Sequence, residues 1–190
     1  MQIHGQRCML RDWQLNDVAL WGDWLRPEHE WQRWDGPYYP GPTLAEIPAL
    51  VAQKRATIEA AEWPNPRMNL VIADPATDQL LGTVTSYWES IETNWLCLGI
   101  VIYDPAWWQR GIGREAFSLW IDYQFAQRPE LVRLDLRTWS GNQRMAKLAT
   151  ALGFRQEACF RKARIVAGKY YDGLGFGILR EEWHNFIKRT

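Results

Sequence analysis

The stretch "LGIVIYDPAWWQRGIGREA", Leu98 to Ala116, decides the fold. Its first part, Ile100 to Tyr103, is β-branched and aromatic and predicts a strand. Its last part, from Glu115 to Ala126, carries Ala116, Phe117, Trp120, Ile121 and Phe125 at helical spacing. Between them lie Gly111 and Gly113 with Arg110 and Arg114, at the start of that helix. The first four N–H groups of a helix have no partner inside it, and the helix dipole leaves partial positive charge at that end. Glycine lets an anion approach the backbone and arginine adds charge, so a pyrophosphate is the natural guest. "GIGREA" also matches the dinucleotide pattern G-x-G-x-x-A, with Asp135 near the required distance. That reading predicts an oxidoreductase. Against it, the residues 104–110 separate strand from glycine where the motif needs a tight turn, and Asp135 lies within its strand. The Walker pattern fails, because no G-K-[ST] follows.

Outward from this stretch the texture is mixed. "NLVIAD", "LLGTVTSYW" and "WLCLGIVIY" read as an antiparallel meander, with "DPATDQ" as a hairpin turn. After the helix, "LVRLDLRT" alternates, with Val132, Leu134 and Leu136 on one face and Arg133, Asp135 and Arg137 on the other. Asn142 opens a helix whose Met145, Ala146, Leu148, Ala149 and Leu152 form an apolar stripe ended by Gly153. "FRQEACFRKARI" and "KYYDGLGFGILREEW" read as two closing strands. Near the start, a short helix is expected over Val18 to Leu25. The proline- and glycine-broken "PEHEWQRWDGPYYPGP" (27–42) follows as an aromatic loop. "TLAE", Thr43 to Glu46, has capping-box spacing for a helix to about Ala61, in which Pro48 would cost a hydrogen bond. No repeat appears, and the expectation is one α+β domain over residues 1–190.

Composition narrows the partners. The 22 Lys and Arg balance 22 Asp and Glu, so no field across the whole surface attracts nucleic acid or anionic lipid. Three cysteines without a C-x-x-C pair, and three scattered histidines, predict no metal site and read as a reducing, cytoplasmic setting. The longest apolar run, Trp95 to Tyr103, is about half a membrane span, and "MQIHGQRCML" lacks a signal-peptide core. Oligomeric state stays open between monomer and homodimer.

"LGIVIYDPAWWQRGIGREA", "NQRMAKLATALGF" and "GKYYDGLGFGILREEW", in that order, resemble the GNAT superfamily of N-acetyltransferases. The branch resembled is the one that acetylates ribosomal-protein amino termini. The resemblance runs from about Asn69 to Trp183. It implies a mostly antiparallel, mixed central sheet flanked by helices, with a β-α-β core that binds acetyl-coenzyme A. The loop Gln109, Arg110, Gly111, Ile112, Gly113 and Arg114 would hold the pyrophosphate. Backbone groups of Ile100, Val101, Ile102 and Tyr103 would hold the pantetheine arm, and Asn142 would reach it from the next helix. The implied reaction is direct transfer of acetyl to a primary amine, either a protein amino terminus or a small molecule. A backbone N–H around Leu98 to Ile100 would stabilise the oxyanion. By the same resemblance, Trp31, Trp34, Tyr38, Tyr39 and Trp88 would wall the acceptor pocket and attract a cationic amine through their ring faces.

The chain departs from this family where proton transfer is concerned. The position of the usual tyrosine acid is Ala149, that of the branch's serine is Met145, and that of a common strand glutamate is Cys97. Cys97 reads as buried packing. Glu89 and Glu92, between two strands, remain as candidates for a base acting through water, with a solvated hairpin tip as the alternative. Asp172 reads either as the branch's last-strand aspartate or as an acceptor of backbone hydrogen bonds. The missing donors also leave open a non-catalytic module that binds acyl-coenzyme A as a sensor.

Overall fold

In the computed structural model, described over residues 1–188, eight strands form one sheet. They are β1 Gln2–His4, β2 Met9–Arg11, β3 Asn69–Ala73, β4 Leu80–Ser90, β5 Trp95–Ile102, β6 Arg133–Trp139, β7 Arg155–Val166 and β8 Lys169–Leu179. Five helices accompany them: α1 Asp17–Trp24, α2 Ile47–Ala60, α3 Ile112–Gln127, α4 Gln143–Ala151 and α5 Arg180–Ile187. The spatial order is β1-β2-β3-β4-β5-β6-β8-β7. Every neighbouring pair is antiparallel except β5 and β6, which α3 connects as a parallel crossover. A sheet with one parallel pair is the expected α+β arrangement and not the doubly wound fold of dinucleotide binders.

Alternation along the strands divides the sheet into two faces. Leu96 and Leu98 of β5 and Leu134 and Leu136 of β6 point toward α3, where Phe117, Trp120 and Ile121 are fully buried. The opposite face of β2, β3 and β5 carries Met9, Val71, Ala73 and Tyr103 under the tryptophans of α1 and its flanks. On that side Arg11 and Asp17, 2% and 4% exposed, form a two-pronged ion pair at 2.7 and 2.8 Å that ties α1 to β2. Most of the amino-terminal tryptophans thus serve packing.

Several local readings hold, and others are corrected by tertiary context. The Asp74 carboxylate accepts from the N–H groups of Ala76 and Thr77, building the hairpin turn between β3 and β4. Thr43 and Glu46 do bond to each other, but as a turn ahead of α2, so that Pro48 falls in the first helical turn and interrupts no hydrogen bond. The alternation of β6 holds, with Leu134 and Leu136 on one face and Arg133, Asp135 and Arg137 on the other, but Val132 precedes the strand and is 68% exposed, and Asp135 is 3% exposed beneath Arg133. The short strands β1 and β2 were not expected. "REEW" is helix, not strand, because Arg180 donates to the carbonyls of Phe125, Arg128 and Leu131 at the end of α3 while Trp183 is buried. Among the described residues no helix is long and apolar enough to cross a membrane.

Candidate functional site

The site follows from a parting of strands. β5 pairs with β6 only from Leu96–Leu134 to Leu98–Leu136. Beyond that point β6 continues with β8 and β5 continues with β4, leaving the facing edges of β5 and β6 without a strand partner. An open cleft of about 1550 Å³ occupies the gap.

At one end the loop before α3 delivers backbone N–H groups. Gln109 and Gly111 both take positive φ, 60° and 81°, a sharply curved path that suits an anion. Gly111 is the N-cap of α3 and no side chain caps the helix, so its first N–H groups face the cleft unpartnered among the described residues. Glu115 in this first turn would repel a phosphate. Its carboxylate is instead turned away, accepting from the N–H groups of Gln6, Arg7 and Cys8 at 2.8, 2.7 and 3.2 Å.

The expected cofactor residues separate into two groups. Ile100, Val101, Ile102, Gln109, Gly111, Gly113, Arg114 and Asn142 line the cleft. Tyr103 does not: its ring is buried against Trp24 and Trp31, and its N–H is taken by the Leu81 carbonyl. Ile112 is a core residue, and the Arg110 guanidinium lies over the Trp107 ring at 5.1 Å, outside the cleft lining. Asn142 is engaged at both ends. Its Oδ1 caps α4 by accepting from Met145 N, and its Nδ2 donates to the Trp34 carbonyl, as does the Trp139 indole. Asn142 therefore fastens the aromatic loop to α4, a role invisible in the local sequence. Arg144 adds to this fastening, its guanidinium lying between the rings of Trp34 and Trp108 at 4.5 and 4.1 Å.

Trp31, Trp34, Tyr38 and Tyr39 also line the cleft, Trp34 across Arg144 from Trp108. Trp88 does not join them. Alternation on β4 sends Thr85, Tyr87 and Glu89 into the cleft and turns Trp88 to the α3 face, where Arg128 covers its ring. Glu92 also lies elsewhere, bonded to Ser90 at the exposed hairpin tip. The period of two along β4 could have separated Glu89 from Trp88.

Glu89 sits at a bulge where the β4–β5 register shifts. Its carboxylate accepts from the buried Cys97 Sγ at 3.8 Å and lies 3.8 Å from Arg137 of β6. The position that lacks a strand glutamate in the sequence thus receives a carboxylate from the neighbouring strand. Burial, foremost, pushes the Cys97 thiol up to about 11, and burial also raises the Tyr87 hydroxyl. Asp35, missed in the sequence, lines the cleft with its side chain partly open to solvent. The protein packed around it raises its pKa by desolvation, and no cation pairs with it among the described residues. Asp172 accepts from Lys162 N at the β7 bulge, the structural alternative. Among the described residues no group of three or more His, Cys, Asp or Glu is arranged to hold a metal.

The comparisons agree with this geometry. The chain matches the family model described as "Acetyltransferase (GNAT) domain" over residues 7–155. No curated protein sequence matches it. Among solved structures it resembles the ribosomal-protein-S5-alanine acetyltransferase from Vibrio fischeri, at TM-score 0.75 and 20% identity over 96% of this chain and 98% of that one. A GNAT-family acetyltransferase from Bacillus anthracis superposes at TM-score 0.73 and 17% identity, covering 95% and 99% of the two chains. A GCN5-related N-acetyltransferase from Brucella melitensis gives 0.73 and 20%, covering 99% and 82%. At these identities the structural neighbours speak for the fold alone, whereas the family match spans most of the sequence, and the chain accordingly belongs to the GNAT acetyltransferase family.

Proposed function

We propose that this protein is an acetyl-coenzyme A-dependent N-acetyltransferase acting on a primary amine. The observation that carries the reading is the coincidence, in one cleft, of a parted parallel strand pair with an uncapped helix N-terminus behind Gly111. The N–H groups of that helix, with Arg114, suit a pyrophosphate. The free edge of β5 past Leu98 suits the amide-bearing arm and supplies a backbone N–H for the oxyanion. Holding both reactants in line can lower the barrier by several kcal/mol, about 7 at the low end for well-oriented groups.

The reaction needs little covalent work from the chain. The amine nitrogen bonds to the acetyl carbon, the carbon–sulfur bond breaks, and coenzyme A leaves as a thiolate. Before attack the amine must shed a proton. At pH 7 this costs roughly 4 to 5 kcal/mol for a lysine-like amine and about 1 to 1.5 for an α-amine. Glu89 is the proposed acceptor of that proton, through a water. No side chain of α4 is assigned to protonate the thiolate, since Met145 lines the cleft and Ala149 is buried. These two positions also favour a second reading, a non-catalytic acyl-coenzyme A sensor. The likeness to a ribosomal-protein acetyltransferase is too distant to carry the acceptor across.

The test is release of free thiol from acetyl-coenzyme A with a panel of primary amines, alongside a calorimetric titration. Turnover with any amine discards the sensor. Glu89→Gln is expected to lower kcat about 100-fold, the low end for a general base, with acetyl-coenzyme A affinity unchanged. Unaltered kcat removes Glu89 from the chemistry.

A further inference from the structure

Two arginines on β6 share one face of the sheet and differ in what they touch. Arg133 is saturated, bonded to Asp135 and Glu157 at 2.7 and 2.5 Å. Arg137 lies one residue past the last β5–β6 pair, and its side chain makes no hydrogen bond among the described residues. Its single ionic contact, with Glu89 at 3.8 Å, is beyond hydrogen-bond distance. Its guanidinium is nevertheless held in place. It lies 5.3 Å from the Trp95 ring centre and over Gly175, where an added Cβ would come within 2.8 Å of Nη1. A fixed guanidinium presents five donors in a planar fork that matches a carboxylate. This fork lines the cleft at the parting of the strands, beside the carboxylate that faces the incoming amine.

Charge across this end of the cleft leans positive. Farther out, Arg164 lies over the Tyr38 ring at 4.5 Å, and the charge of Asp35 also bears on Tyr38. The acceptor end therefore holds two carboxylates, Glu89 and Asp35, and three guanidinium groups, Arg137, Arg164 and the Arg144 stacked on Trp34. A polyamine or aminoglycoside would bring additional positive charges against these arginines. A peptide amino terminus carries no carboxylate on the carbon next to its amine, and would leave the fork of Arg137 unanswered. A free α-amino acid carries its ammonium and carboxylate on one carbon, the spacing that two side chains within 4 Å of each other can meet together.

We infer that the acceptor is a free α-amino acid, its carboxylate held by Arg137 while its amine faces Glu89. The inference rests on the acetyltransferase reading above and adds to it the acceptor class. Arg137 is a specificity-determining residue here, and Glu89 is the group nearest the amine.

The experiment compares each of the common α-amino acids with its own carboxamide, using thiol release with the wild-type protein. At least one amino acid is expected to show kcat/KM tenfold or more above its carboxamide, because a half-buried guanidinium fork favours the carboxylate that answers it over the neutral amide that does not. In Arg137→Met that ratio is expected to fall toward one, and in Arg137→Lys to take an intermediate value, since a lysine keeps the charge without the fork. Acetyl-coenzyme A titrations of both variants report folding. Carboxamides used as well as acids by the wild type, or an acid preference that survives in Arg137→Met, would overturn the assignment. Turnover of polyamines or peptides but of no amino acid overturns it and leaves acetyl transfer standing. Turnover of no amine of any class removes both readings.

Discussion

Gly113 is the position where stability and binding are expected to move in opposite directions. It is the second residue of α3, it lines the cleft, and a Cβ built on it meets no atom within 4 Å. Its backbone is helical, unlike that of Gly111. Nothing in the fold therefore requires glycine there. Alanine at a helical position is worth up to about 1 kcal/mol over glycine, and about half that near a helix end is a reasonable allowance. For a chain of this size Gly113→Ala should raise Tm by about 1 to 4 °C. If the helix N-terminus holds the pyrophosphate, however, the new methyl stands between phosphate and backbone. Displacing one charge-assisted hydrogen bond costs about 1.5 to 3 kcal/mol, which weakens acetyl-coenzyme A binding about tenfold to a hundredfold. Differential scanning calorimetry and a calorimetric titration on the same preparation measure both quantities. A more stable variant with Kd within twofold of wild type would refute the assignment of this helix end to the pyrophosphate.

Two further perturbations probe the frame around the site. Arg11→Met leaves the Asp17 carboxylate buried and unpaired, and should cost about 3 to 5 kcal/mol in urea unfolding. The double variant Arg11→Met/Asp17→Leu should recover most of that loss, and failure to do so would assign the loss to the bonds Arg11 makes to the Asp78 carboxylate and carbonyl at 2.5 and 2.8 Å. Asp35 has a folded pKa raised by burial above its unfolded value. Between the two pKa values the folded state binds the proton more tightly, so stability falls as pH rises through that window and stays lower above it. Asp35→Asn should therefore raise Tm slightly at pH 7, with the gain shrinking as pH falls toward about 4 and gone below it, where wild-type Asp35 is protonated in both states. Thermal melts across this range check it, and no gain at pH 7 would contradict the raised pKa of Asp35.

The features legible in the sequence are those that depend on neighbours along the chain. The α3 N-terminus was readable because orphan N–H groups, Gly111 and Arg114 lie within a few residues of each other. The Asp74 turn and the apolar stripe of α4 were local in the same sense. α5 was not, because Arg180 is held by three carbonyls about fifty residues earlier. The burial of Asp135 was not legible either, because it comes from the Arg133 side chain folding over it, with Glu157 of β7 holding that arginine from its other side.

The sequence by itself determined a strand, a glycine-bearing loop and a helix start that together suit an anion, because backbone donors need only local geometry. What the cleft presents to an acceptor was decided by tertiary structure alone. The parting of β5 from β6 depends on β8 taking over the edge of β6, and the bulge in β4 carries Glu89 to Cys97 and Arg137. Those three residues stand on three different strands, and only strand pairing, which no single stretch of chain encodes, brings the Glu89 carboxylate within 4 Å of both the Cys97 thiol and the Arg137 guanidinium.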